Sequence, residues 1–434
     1  MPLSKSNSTT PVSSSAAPAS VGQSFIIYSF AFAVAGATPF LLLPFLTRLL
    51  SPAEFGVVTS FIMLTTLVAN VAGVAAHGFV SVRFFKVPSS SFGTLTCTSL
   101  AAVVGAHVIA ILLLMAFSST LSVNFKLTPE YVMLTALGSL LLNANVIFLA
   151  IFQSSRQPIM YLGARIIQSV CELGVCAALM MWVAADERAR IGSYLAALFL
   201  SALFGLSVAI RNKHVVASFD RTILPDLFRF GVPLLPHVIA GTVIFQIDRI
   251  VVSSRLGADG LGVYMVAMQI GLAMMVFIEP LSKSLAPWLF GELARNDLNS
   301  RRAIVKRTYL LFLGLVVVGA VVAGAAHLLF DQIIGHEFHD ARALIPWMVA
   351  AFVLQGMYHC VVNYLFYAEK TGRLSIVSGA TACLGLLCSV ALTTRFGIEG
   401  ACVSFVLTNV VLFLAVWAVA ARTVDMPWLL RRQA

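Results

Sequence analysis

Long apolar runs, broken at short intervals by charge, glycine or proline, fill the chain from residue 23 to residue 421. A membrane-crossing helix needs about 20 predominantly apolar residues, and the runs divide into twelve candidates. The first six cover residues 23–47, 56–81, 94–117, 130–153, 161–184 and 192–211. The second six cover 231–254, 262–285, 308–330, 342–366, 374–394 and 398–421. The first run holds Gly36, Pro39 and Pro44, which a membrane helix absorbs as a kink. Between the halves, "RNKHVVASFDRTILPDLFRFG" (211–231) spaces Phe219, Ile223, Leu224, Leu227 and Phe228 at helical intervals. That spacing predicts an interfacial amphipathic helix joining them.

The domain layout follows: a Ser/Thr/Ala/Pro-rich disordered tail (1–21), a six-helix bundle (22–211), an amphipathic linker (212–230), a second six-helix bundle (231–421) and a short tail (422–434). The first tail has no apolar run and is not a secretory signal.

Composition agrees with an all-α integral membrane protein. Of the 434 residues, 59% are hydrophobic and 11% charged, against about 25% charged in soluble domains. The formal net charge of +10 suggests membrane orientation rather than nucleic acid, because the basic residues fall in short loops. With the N-terminus inside, 20 of the 28 Lys and Arg lie on the inner side, which places both termini in the cytoplasm. The seven cysteines lie in apolar surroundings without CxxC or Cys/His spacing, so they read as core residues rather than metal ligands or disulfides.

The chain also repeats itself. "TRLLSPAEFGVV" (47–58) and "SRLGADGLGVY" (254–264) share Arg-Leu, a short polar turn with an acid, and a Gly-Val step. "FQSSRQPIMY" (152–161) and "YAEKTGRLS" (367–375) correspond in position and basic character. A parallel duplication of six plus six spans predicts two bundles related by a pseudo-twofold along the membrane normal, a transporter architecture.

At "PFLTRLLSPAEFG", "FGVPLLPH" and "QIDRIVVSSRLGADGLGVYMVAMQI" the sequence resembles the Wzx-type O-antigen and exopolysaccharide flippases of the multidrug/oligosaccharidyl-lipid/polysaccharide exporter superfamily. The resemblance implies transfer of undecaprenyl-diphosphate-linked oligosaccharide from the inner to the outer leaflet of the bacterial cytoplasmic membrane by alternating access. It also implies a cavity lined mainly by the first two spans of each half. Membrane lipids, a polysaccharide polymerase and chain-length machinery become the expected partners, with no nucleic acid. No cofactor is expected, and coupling to H+ or Na+ stays open.

A diphosphate calls for guanidinium or ammonium groups, and sugars call for amides, hydroxyls and aromatic faces. The candidate cavity residues are therefore Arg48, Arg83, Asp248, Arg249, Arg255, Glu279, Lys283, Arg165 and Glu172. Arg165, Gln168 and Glu172 share one helical face, as do Gln355, His359 and Asn363, and Glu279 precedes Lys283 by one turn. Amides and His in such positions also serve simply to bond a neighbouring helix. A buried carboxylate is either protonated or paired, which makes Glu172 and Glu279 candidates for proton coupling. Asp248 and Arg249 project onto different faces of one helix, so they are not partners. An arginine near the outer boundary reaches the interface by its long stem, whereas an aspartate needs a partner or water, and Arg48 is the natural candidate. At an offset near 207, the first half has Leu41 and Leu42 in place of the charged pair.

A multidrug or metabolite exporter of the same superfamily is the first alternative, but cationic drugs call for an acidic cavity. A membrane polysaccharide polymerase or ligase needs a large outer loop with catalytic groups. The acid- and His-containing loop "FDQIIGHEFHDARAL" (330–344) lacks HExxH spacing and reads as solvated rather than metal-binding.

Overall fold

The computed structural model describes residues 21–294, 297–368 and 370–428, and it is helical throughout, with no strand among them. Residues 1–20 of the expected tail (1–21) and the last six residues lie outside the described residues, while Val21 opens the first helix. In chain order the helices are α1 (Val21–Leu49), α2 (Pro52–Ala72), α3 (Ala76–Phe84), α4 (Ser89–Ala116), α5 (Ser118–Phe125), α6 (Pro129–Ser154) and α7 (Pro158–Trp182). They continue as α8 (Glu187–Arg211), α9 (Leu224–Gly231), α10 (Leu235–Leu272), α11 (Met275–Ala294), α12 (Leu298–Ile333), α13 (Ala341–Tyr367) and α14 (Thr371–Thr423). Among the described residues, ten helical segments are long and apolar enough to cross a membrane.

Two of the long helices are hairpins run together. α10 is interrupted at Gly257 (φ 78, ψ −170) and α14 at Gly397 (φ 62, ψ −140), conformations that essentially only glycine adopts. The chain doubles back at each: Tyr264 bonds Asp248 across the first bend, and Gly385 lies against Thr408 across the second. α2 and α3 form one broken leg, and so do the end of α10 and α11. Counted this way, the described residues make twelve legs, as the apolar pattern predicts.

The chain folds as two compact units. Among the described residues, one takes Val21–Thr38, Phe61–Val123 and Leu127–Val243. The other takes Pro39–Ser60, Asn124–Lys126 and the described residues from Ile244 onward. In the first unit, α2 breaks at residues 73–75, where Val74 (φ 46) and Ala75 (φ 49) are left-handed. A β-branched residue there carries real strain. Surrounding contacts hold the break: the Asn143 side-chain amide donates to the Ala69 carbonyl at 2.9 Å, and Gly231 rests directly on the Val74 backbone.

The linker departs from its expected form. Its apolar residues become helical only from Arg221. Residues 214–220 run instead along α4, where Val216 N–H donates to the Gly93 carbonyl and Asp220 N–H to Thr98 Oγ1 at 3.0 Å. Thr222 donates twice to the Asp220 carboxylate and holds its pKa below the usual range. His214 packs edge-on to Phe84 and Phe92, and burial lowers its pKa. α9 then lies antiparallel to α3, with Arg83 on Asp226 and Phe79 on Phe230, and leads through a 3-10 turn (Val232–Leu234) into α10.

The α10 bend yields a clean test. Gly257→Ala forces a side chain into a glycine-only conformation and lowers stability by about 1–3 kcal/mol. Gly36→Ala, in an unobstructed helical position, leaves the thermal transition of the detergent-purified protein unchanged. Equal transitions for the two variants count against the hairpin.

Candidate functional site

The second unit holds both hairpin tips that carry the repeated motif. α2 starts with a capping box in which the Glu54 carboxylate accepts from the Ser51 N–H (2.8 Å) and hydroxyl (2.7 Å). Pro52 takes the first helical position, where its missing N–H costs nothing. One turn on, a Cβ at Gly56 would fall onto the Ala258 carbonyl oxygen, and a Cβ at Gly262 would fall onto that of Pro52. These contacts are reciprocal. Gly56 and Gly262 are offset by 206 residues, and so are Pro52 and Ala258. The tips therefore pack across a local two-fold, backbone on backbone. The Gly-Val step of the repeat is the residue pattern that permits it.

The loop after α12 completes the seam. Gly335 rests on the Thr47 backbone, and its N–H donates to Thr47 Oγ1 at 3.2 Å. Arg48 donates to the Gln332 carbonyl. Phe338, fully buried, meets Phe55 edge-on at 5.7 Å. A cavity of about 390 Å³ lies here, lined by Thr47, Arg48, Ser51, Glu54, His336 and Glu337 among others. Asp331, in the last turn of α12, accepts from Arg342 at 3.1 Å.

Asp248 is buried, as an acid that cannot reach solvent must be, but its partner is not Arg48. The phenol of Tyr264, itself fully buried, donates to Asp248 Oδ2 at 2.5 Å. The bend at Gly257 brings the two together, while Arg48 sits at the exposed tip with Gln332. Arg249, half-buried, and Cys402 lie within electrostatic reach of the same phenol. Arg255 is exposed just before the bend.

In the first unit Glu172 is paired rather than alone. Arg190 Nη2 donates to Glu172 Oε1 at 2.6 Å, and both side chains are nearly inaccessible. The apolar pattern starts the sixth span at residue 192, which leaves Arg190 in the loop before it. Asp186 instead caps α8 by accepting from the Ala189 N–H (3.0 Å), which starts the helix at Glu187 and carries Arg190 inside. The stripe on α7 is thus divided: Arg165 donates to Gln168 at 3.2 Å and faces the Tyr161 ring, while Glu172 turns to α8.

The remaining candidates are dispersed. Arg83 pairs with Asp226 at 2.7 Å in a half-exposed setting, where such a pair contributes little. Glu279 is half-buried on α11 within electrostatic reach of His359. The side chain of Lys283 lies outside the described residues. On α13, Asn363 donates to the His359 carbonyl of its own helix at 3.0 Å. Tyr264 and Arg190 were missed by sequence reasoning. Gly257, as a bend, and Asp186, as a cap, were the signals that lead to them.

Arg190→Ala leaves Glu172 buried without its counter-charge and lowers stability by about 3–5 kcal/mol. The apolar replacement Glu172→Leu with Arg190→Met recovers most of that in thermal unfolding. A silent Arg190→Ala removes the pairing.

The chain matches, over residues 45–343, the family described as polysaccharide biosynthesis protein. Two relatives from Haemophilus influenzae are similar over most of their length. An uncharacterized membrane protein is 25% identical over 81% of this chain and 85% of its own. Lsg locus putative protein 1 is 22% identical over 82% and 87%. Among solved structures, the lipid II flippase MurJ in its inward closed conformation superposes with a TM-score of 0.68 at 13% identity, covering 91% of this chain and 87% of its own. An inward-facing multidrug resistance MATE transporter of the MOP superfamily gives 0.65 at 14% identity, covering 91% and 94%. At such identities the likeness shows fold alone. The chain is a multi-pass membrane protein that belongs to the polysaccharide biosynthesis protein family.

Proposed function

We propose that the protein flips undecaprenyl-diphosphate-linked oligosaccharide from the inner to the outer leaflet of a bacterial cytoplasmic membrane, by alternating access and without catalysis. The reciprocal seam between the two hairpin tips is the observation that carries this reading. A seam packed backbone on backbone, with its few polar bonds at the edge, closes tightly yet opens without stranding a buried ion pair. Alternating access needs such a closure on the side away from the cargo's entry. With both termini in the cytoplasm, as the basic residues favour, the seam lies on the outer side.

Arg249, with Arg48 and Arg255 nearer the tips, supplies guanidinium charge for an anionic diphosphate, a charge of the wrong sign for cationic drugs. Glu172 is committed to Arg190, so Glu279 is the candidate for proton coupling, with H+ or Na+ as the driving ion. A polysaccharide polymerase and chain-length machinery are the proposed downstream partners.

The test is complementation of a strain lacking this gene's product. Overpacking a tight contact costs about 1–3 kcal/mol, so Gly262→Val shifts the seam toward its open state by about fivefold or more. Surface polysaccharide falls accordingly, and the lipid-linked unit accumulates in the inner leaflet. In a cysteine-free background, Phe338→Cys becomes reactive to an impermeant thiol reagent only when Gly262→Val is present. Arg249→Glu lowers export without unmasking that thiol. Normal polysaccharide from both variants at wild-type protein levels overturns the proposal.

A further inference from the structure

Away from the seam, an apolar groove runs between α11 and α12. Leu281, Leu285 and Trp288 line it from α11 at i, i+4 and i+7, and Leu310 and Leu311 line it from α12; Arg307 stands at one end. The volume is about 310 Å³. The guanidinium of Arg307 sits 5.1 Å from the centroid of the Trp288 ring, a cation–π contact that fixes it across the end of the groove. No ion pair joins Arg307 to a carboxylate among the described residues.

Beyond the leucines the groove stays open. Gly314 lies on the α12 face of Arg307, two turns along, and no atom comes within 4 Å of the place where its Cβ would be. Val317 and Val321 continue the same face as exposed apolar residues. At the other end Lys306, next to Arg307 in sequence, and Arg302, five residues before it, are exposed on neighbouring faces of α12, while Glu292, one turn beyond Trp288, is half-buried on the α11 side. An apolar channel, open along its length and closed by a fixed cation, has the form of an amphiphile with a phosphate head.

We propose that this groove is a binding site for an anionic phospholipid of the surrounding bilayer, with its acyl chain along Leu281, Leu285 and Leu310 and its phosphate on Arg307. Net negative charge distinguishes the occupant. A zwitterionic lipid offsets its phosphate with an amine, whereas Arg307, fixed on Trp288 at the end of the groove, favours a head that carries none. The proposal rests on the chain's being a membrane protein and is independent of the flippase reading.

Native mass spectrometry of the full-length protein in detergent reads the site directly, with phosphatidylglycerol and phosphatidylethanolamine added at equal concentration. The wild type retains phosphatidylglycerol preferentially. Arg307→Gln lowers that retention about fivefold, the effect of one basic residue near an anionic head, and Arg307→Lys keeps most of it. Gly314→Leu fills the groove and lowers retention without touching any charge. Thermal transitions matching the wild type certify that the variants are folded, and retention is read only on variants that pass. Equal retention of the two lipids by the wild type overturns the proposal. So does unchanged retention in both Arg307→Gln and Gly314→Leu. Displacement of phosphatidylglycerol by equimolar undecaprenyl phosphate also overturns it, and would assign the groove to a polyprenyl carrier.

Discussion

Hydrocarbon offers no hydrogen bonds, so a polar group carried into a span has to be answered within the protein. That constraint sets the side-chain geometry in both units. Glu172 is met by Arg190 on the next helix and Asp248 by Tyr264 on the next leg. The same holds for uncharged groups. Asn145 donates to the carbonyls of Leu141 and Leu198, and His107 bonds Ser139 at 3.1 Å. Each cross-helix bond fixes the rotation of one helix against its neighbour, because turning either by a residue buries an unmatched group. Polar contacts inside the spans are therefore registration marks as well as candidate chemistry.

The hairpin tips follow the opposite rule. There the close contacts are between glycines and carbonyl oxygens, and specificity comes from the absence of side chains at Gly56, Gly262 and Gly335. The few polar bonds at the seam, from Gly335 to Thr47 and from Arg48 to a carbonyl, lie at its edge. Strong buried pairs hold helices that must stay together, while backbone packing joins parts that the proposed cycle has to separate.

The twelve legs were legible in the sequence because the length and apolarity of a span are set by the bilayer, independently of tertiary contacts. The repeat was legible as well, since the Gly-Val step must survive for the tips to meet. What escaped the sequence was partnership. Arg190 looked like a loop residue until the Asp186 cap moved the helix start. Arg48 looked like the partner for Asp248 because charge suggests counter-charge, and a phenol in an apolar-looking run gave no such signal. The linker's apolar spacing was read correctly from Arg221 on, but Val216 and Asp220 are held by Gly93 and Thr98 of α4, contacts that spacing within one segment does not encode.

The seam also fixes the repeat's register, and that register bears on Asp248. An offset of 206, rather than one near 207, places Leu42 opposite Asp248 and Leu43 opposite Arg249. It places Val58 opposite Tyr264. Leu42, Leu43 and Val58 are all buried in their own hairpin. The two members of the hydrogen-bonded pair thus differ from the first repeat together: two apolar side chains in one copy, acid and phenol in the other. Either change alone would leave a buried polar group unsatisfied, at a cost of about 1–3 kcal/mol, so the pair is intelligible only as a unit. The first repeat shows that the hairpin packs without it. Asp248 and Tyr264 therefore do not serve to make the fold possible, and what distinguishes the second hairpin from the first is a buried acid, its donor and an adjacent arginine placed behind the closed tip.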